Sequence, residues 1–298
     1  MRVTLLLAAT AVACLASTTV ATAQSSTSVP VEVASPVVQP IRASKIILVG
    51  DSTTAVAGGW GPSFCARHVT SFLTCVNLAR GGRSSGNYRT EGSWDIALGE
   101  MASPGYVATY VLIQFGHNDQ PGKPGRSTDL ATEFPANLKR YVEEARARGA
   151  IPVLLTPLTR RQFIDGRLQN DLEPWAEAVR RVAAETATPL VDLNASSDAA
   201  VQALGPVMSA RFAQAIPLPE VGAALLTGTT IPAAGAAPVV PGPVLPPIQN
   251  NATVEPMGQA KLAFDYTHLG SEGADFFAAM VTRDLVLAVP ALRRLLIL

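Results

Sequence analysis

Five short runs along the chain are apolar almost without interruption and rich in β-branched residues: Lys45–Val49, Cys75–Ala79, Tyr110–Phe115, Ile151–Leu155 and Leu190–Leu193. Such runs must be covered on both faces, as in the central strands of a parallel sheet. Helical spacing fills the gaps between them. Leu130, Phe134, Leu138, Tyr141 and Ala145 recur at intervals of three and four, with Gly149 placed to end the helix. Leu172, Trp175, Val179, Val182 and Thr186 repeat the pattern, and Phe276, Phe277, Met280, Asp284 and Leu287 follow a looser version. Strands alternating with helices predict βαβ units and a mostly parallel, doubly wound sheet. Pro152, inside the fourth run, is tolerated near a strand's first residues.

Three stretches stand outside this rhythm. Residues 1–23 open with Arg2, continue through an apolar run from Val3 to about Leu15, and reach Ala21-Thr22-Ala23. That layout predicts a secretory signal peptide cleaved before Gln24. The apolar run is shorter than the roughly 20 residues a membrane span requires. Residues 24–44, rich in Ser, Val and Pro, read as a flexible leader. Residues 214–258 are rich in Pro, Ala and Val and nearly uncharged, with no helix-length stretch free of Pro or Gly. They read as a surface insertion in extended conformations, the alternative being a lid or substrate-facing loop. The remaining catalytic domain spans 45–290.

Charge and cysteine content narrow the function classes. The chain has 23 basic and 23 acidic residues; cleavage at the predicted site removes Arg2 alone and leaves a net charge of −1. No basic surplus points to nucleic acid or an anionic membrane. Cys65 and Cys75 survive cleavage, and an oxidising compartment permits them either to pair or to remain as two buried thiols.

Ligand sites in open parallel sheets lie at the carboxyl ends of the strands. Here those ends carry Gly50-Asp51-Ser52-Thr53, Asn77 to Ser84, and Phe115-Gly116-His117-Asn118-Asp119, with Asp265-Tyr266-Thr267-His268 ahead of the last helix. Acyl transfer needs a nucleophile, a base, a group that orients the base, and donors for the oxyanion. Ser52, where a strand turns into a helix, supplies the hydroxyl and a backbone N–H at a helix N-terminus. Gly82 lets a second N–H approach closely, and Asn118 adds a side-chain donor. Of the three histidines, His68 has no neighbouring carboxylate and His117 sits beside Asn118. His268 has Asp265 three residues earlier, within reach of Nδ1.

These motifs resemble the SGNH (GDSL) hydrolases, and within them the rhamnogalacturonan acetylesterases and related carbohydrate esterases. The resemblance covers roughly residues 45–288 and rests on G-D-S-T at 50–53, G-W-G at 59–61, N-x-A-x-x-G-R-S at 77–84, F-G-H-N-D at 115–119 and D-x-T-H at 265–268. Phe134-Pro135-x-Asn137-Leu138 is similar to the helix that follows the third block. The resemblance implies a three-layer α/β/α flavodoxin-like fold around a central, mostly parallel five-stranded sheet. It implies a catalytic triad of Ser52, His268 and Asp265 and an oxyanion hole of Ser52, Gly82 and Asn118. It also implies a serine esterase that acts on acetylated polysaccharide such as rhamnogalacturonan. The predicted signal peptide makes the protein a secreted one, serine chemistry needs no cofactor or metal, and a monomer is expected. Arg83, His117, Trp60 and Tyr88 are the candidates for substrate contact. A lipase, lysophospholipase or thioesterase using the same residues is the main alternative, and a non-catalytic carbohydrate-binding protein of the same fold is a second.

Overall fold

The structure, a computed structural model, describes residues 42–233 and 263–298. The expected signal peptide, most of the leader and residues 234–258 of the insertion lie outside the described residues. The strands are β1 (Ser44–Gly50), β2 (Leu73–Asn77), β3 (Thr109–Gln114), β4 (Ile151–Leu155), β5 (Phe163–Ile164), β6 (Arg167–Leu168) and β7 (Leu190–Val191). Five of them form one parallel sheet in the order β2-β1-β3-β4-β7, and β5 and β6 make a separate antiparallel hairpin. Every residue of β1 and β3 is buried, as their apolar runs require. β2, on the edge, starts two residues earlier than its apolar run and ends at Asn77. Pro152 is accommodated by register. Leu154 and Thr156 donate their N–H groups to Pro189 and Val191 of the β7 side. Pro152 faces the same way but lies ahead of β7, so no ladder bond is lost.

Alternation along β1 divides the core. Ile46 and Leu48 join Phe64, Val201, Phe277 and Val281 in one cluster, whereas Ile47 and Val49 join Trp94, Tyr141 and Val179 in the other. The first cluster lies under α1 (Gly61–Arg67), α6 (Leu193–Ala210, broken at Gly205) and α8 (Ser271–Ala288). The second lies under α3 (Ser93–Met101), α4 (Glu133–Ala147) and α5 (Glu173–Glu185). The short helix α2 (Asn87–Thr90) and α7 (Pro219–Leu226) complete the set. Helices on both faces of a parallel sheet make the three-layer α/β/α fold.

The predicted faces of α4 and α5 are the buried ones. That of α8 needs correction. Ala274, Phe277, Val281 and Leu285 face inward at strict helical spacing, while Leu287 is 76% exposed. The looser apolar rhythm had mixed two faces of one helix. The insertion is corrected too. Its first part folds as α7, because Pro219 occupies the opening turn, where a missing N–H breaks no helical bond. Val221 and Leu225 then pack against Ala210, Phe264 and Tyr266. The fold also continues past residue 290. Leu292 and Leu296 are buried, Val69 bridges to Leu296, and the Ile297 N–H donates to the His68 carbonyl. Cys65 of α1 and Cys75 of β2 are joined by a disulfide, with Cα atoms 5.4 Å apart. No helix among the described residues is long and apolar enough to cross a membrane.

The cluster around α7 supports the segment that carries Asp265 and His268. Leu225→Ala should therefore destabilise the protein by about 2–5 kcal/mol, the usual loss for a buried leucine. Chemical denaturation measures it, and an unchanged midpoint would place α7 outside the cooperative fold.

Candidate active site

Strand order reverses between β1 and β3, and open α/β sheets bind ligands outside the carboxyl ends of the strands at such a switch point. Ser52 stands on the first of these loops. The helix expected to begin there does not: residues 51–60 are turns, and α1 starts only at Gly61. A single turn closed by the Ala55 N–H on the Asp51 carbonyl takes its place. Polar side chains hold that turn from below. Asp51 Oδ1 accepts from the Thr53 N–H and hydroxyl, both at 2.8 Å. Gln114 Oε1 accepts from Thr54 Oγ1 and Trp60 Nε1, and Asn77 Nδ2 donates to the Thr54 carbonyl. Gly61 permits the close approach: a Cβ there would lie 2.3 Å from the Thr54 carbonyl oxygen. Ser52 remains partly exposed, and a Cβ at Gly81 would be only 3.7 Å from its own Cβ.

The Asp265–His268 spacing works as a turn closed by one carboxylate. Asp265 Oδ1 accepts from the N–H groups of Thr267 (2.7 Å) and His268 (2.6 Å), while Oδ2 accepts from His268 Nδ1 at 2.6 Å. The Asp265 bond lifts the His268 pKa above its ordinary value, against the opposing pull of burial. Burial works against the charge on Asp265, but the ring and backbone donors outweigh it and hold this carboxyl at about 2. The turn is tied to the Ser52 loop by the Leu269 N–H on the Gly58 carbonyl at 2.8 Å. Among the described residues no hydrogen bond joins Ser52 Oγ to His268, whose Nδ1 is taken by Asp265.

Sequence reasoning missed Arg161, which is fully buried beneath this turn. Its guanidinium donates to the carbonyls of Asp265 (3.0 Å), Thr267 (3.2 Å) and His268 (2.8 Å). Burial lowers its pKa to about 10, and Asp265 counters that pull. The available signal was its position a few residues beyond β4, on the same sheet rim.

Gly82 has φ of +76°, a left-handed conformation that favours glycine. Asn118 is buried; its Nδ2 donates to the Arg83 carbonyl (3.1 Å), and Arg126 reaches both the Gly82 carbonyl (3.3 Å) and Asn118 Oδ1 (3.5 Å). One amide hydrogen of Asn118 is thus left for another acceptor. Among the described residues no group of three or more His, Cys, Asp or Glu side chains is arranged to hold a metal ion.

The four substrate-contact candidates are corrected by their burial. Trp60 is a core residue whose indole N–H meets Gln114. Tyr88 is buried with its hydroxyl on the Leu78 carbonyl. Arg83 turns inward to Glu91 and the Gly81 carbonyl, bracing the Gly82 loop. His117 is enclosed with Nδ1 3.3 Å from Asp51 Oδ2, and burial lowers its pKa despite that carboxylate. All four support the rim from inside.

The GDSL-like Lipase/Acylhydrolase family model matches residues 48–213, more than half of the sequence. The chain belongs to this family. Asp265 and His268 lie beyond the matched stretch. Among curated relatives, the chain is 35% identical to the "Probable rhamnogalacturonan acetylesterase YesY" of Bacillus subtilis, over 51% of this chain and 70% of that protein. It is also 35% identical to the rhamnogalacturonan acetylesterase RhgT of the same organism, over 56% of this chain and 72% of that one. Of solved structures, the YxiM protein of Bacillus subtilis superposes with a TM-score of 0.56 at 20% identity, covering 83% of this family member and 57% of that chain. The chain thus spans little more than half of that solved protein, and the likeness is one of fold.

Two variants test the turn. Asp265→Asn removes the charge that favours the imidazolium, so the His268 pKa, followed by ring-proton NMR, should fall. Arg161→Met leaves the Asp265, Thr267 and His268 carbonyls without their donor and should cost about 2–4 kcal/mol in denaturant unfolding. An unmoved His268 titration, or an Arg161→Met protein of full stability, would contradict the geometry above.

Proposed function

We propose that this protein is a secreted serine esterase that removes acetyl groups from a plant-type polysaccharide such as rhamnogalacturonan. The observation that carries the reading is the identity to rhamnogalacturonan acetylesterases over more than two thirds of their length. The Asp265–His268 pair beside the Ser52 loop supplies chemistry to match. Ser52 Oγ attacks the acetyl carbonyl carbon while His268 Nε2 takes its proton. Asp265 holds the ring in the required tautomer and stabilises the imidazolium. The oxyanion is received by the N–H groups of Ser52 and Gly82 and by Asn118 Nδ2. The sugar hydroxyl departs with the proton from His268, and water then hydrolyses the acetyl-serine by the same route in reverse. The Cys65–Cys75 disulfide supports a working place outside the cytoplasm.

A second reading, an ester with a longer apolar acyl chain, has one observation in its favour. An open cavity of about 500 Å³, lined mostly by the segment joining α6 to α7, includes Gln214, and a Cβ at Gly58 would lie 3.0 Å from the Gln214 amide and 3.3 Å from the His268 side chain.

Acetate release from acetylated rhamnogalacturonan, set beside acetylated xylan and aryl esters of increasing chain length, separates the two. The first reading predicts highest kcat/KM on the acetylated pectin polymer; a preference for long acyl chains would replace it with the second. Ser52→Ala should lose several decades of rate with its fold intact, and Asn118→Ala should lose roughly 10²–10³ in kcat with less change in KM. Substantial turnover by folded Ser52→Ala would end the serine mechanism.

A further inference from the structure

Beside the Gly82 loop lies a cavity of about 640 Å³ that none of the roles above uses. Its walls come from the segment after β2, the segment after β3 and the first turns of α4, and three of its residues are Arg89, Arg126 and Arg140. Glu133 is the one acidic residue in the lining, and its carboxylate accepts the Asp129 N–H. Glu144, outside the lining, pairs with Arg89 at 2.7 Å and stands 3.9 Å from Arg140. The balance in the cavity is positive.

Two of these guanidinium groups are incompletely used. Arg89 Nη1 and Arg126 Nε are buried without a hydrogen-bond partner among the described residues. A buried donor of this kind is costly unless an acceptor reaches it. Arg89 is braced by Glu144 and by the Tyr141 ring, 5.0 Å from its guanidinium carbon. Arg126 is braced by the Gly82 carbonyl and Asn118 Oδ1, so the same side chain lines the cavity and touches two of the three oxyanion candidates. Arg140, with its side chain 61% exposed, offers an accessible planar fork on the cavity wall. Planar forks suit carboxylates, which accept two parallel N–H bonds.

We propose that this arginine-lined cavity is a subsite for a uronic-acid carboxylate of the polymer chain that carries the acetyl group. The inference rests on the polysaccharide reading above and adds to it the place where a carboxylate of the polymer would be met. Binding there would seat the chain against Arg126 and so position the ester beside Gly82 and Asn118. It would also explain how a protein without overall basic charge attracts an acidic polymer, since local fields act over about a Debye length.

The test compares a deacetylated rhamnogalacturonan oligosaccharide with its carboxyl-reduced counterpart in calorimetric binding to the full-length protein. The native oligosaccharide should bind about tenfold tighter, the worth of one charge-assisted contact, and added salt should erode that advantage. Arg140→Gln should reduce the preference about threefold, as for loss of an exposed ion pair. Thermal unfolding checks that this surface variant is folded. Equal affinity for the two oligosaccharides, or a preference untouched in Arg140→Gln, would overturn the subsite. Acetate release from the acetylated polymer is measured in parallel. Release without carboxylate preference removes the subsite alone, whereas carboxylate preference without release from this polymer removes the rhamnogalacturonan reading and leaves the subsite.

Discussion

The buried guanidinium of Arg161 is the contact on which the geometry of the rim depends. The segment from Asp265 to His268 belongs to no strand or helix, so no ladder of regular hydrogen bonds fixes it. Three of its carbonyls converge on Arg161, and Asp265 turns its own carboxylate back onto two N–H groups and the His268 ring. A positive charge in the interior is expensive unless its donors are met. Here the carbonyls meet two of its nitrogens and the neighbouring Asp265 charge stabilises it. Removing either side leaves the other unsatisfied, so turn and guanidinium hold one another in place.

The opposite wall is built on the same plan. The Ser52 turn, lacking the helix that its sequence suggested, is braced by Asp51, Gln114 and Asn77. The Gly82 loop is braced by Arg83, and Asp119 anchors Ser85 and Thr128 beside it. Irregular backbone at a sheet rim keeps its shape when buried side chains meet its polar groups in place of a ladder. The apolar core sets where the loops emerge, and the polar interior sets where their ends point.

This division explains what could be read from the chain. Continuous apolar runs announce buried parallel strands whatever their neighbours, so β1, β3 and β4 fall within a residue of expectation. The spacing of Asp265 and His268 is local chemistry, and it closes as one turn. Residues that act through distant partners left no such mark. Gln114 resembles any residue ending a strand, and Arg161 resembles any arginine in a loop, until the fold brings Trp60 to one and His268 to the other. Trp60, Tyr88 and Arg83 misled for the converse reason: side chains able to meet a sugar are equally able to fill a core and satisfy its carbonyls. In α7, Pro content argued against a helix, while its position in the first turn allowed one.

The central claim is that Ser52 is the one hydroxyl activated as a nucleophile, and that His268 on its Asp265-closed turn activates it. Labelling with an alkyl fluorophosphonate, followed by peptide mass spectrometry, tests it most directly. The account predicts a single adduct on the peptide containing Ser52, formed far more slowly in His268→Ala. An adduct on another serine, or equal labelling rates with and without His268, would contradict it.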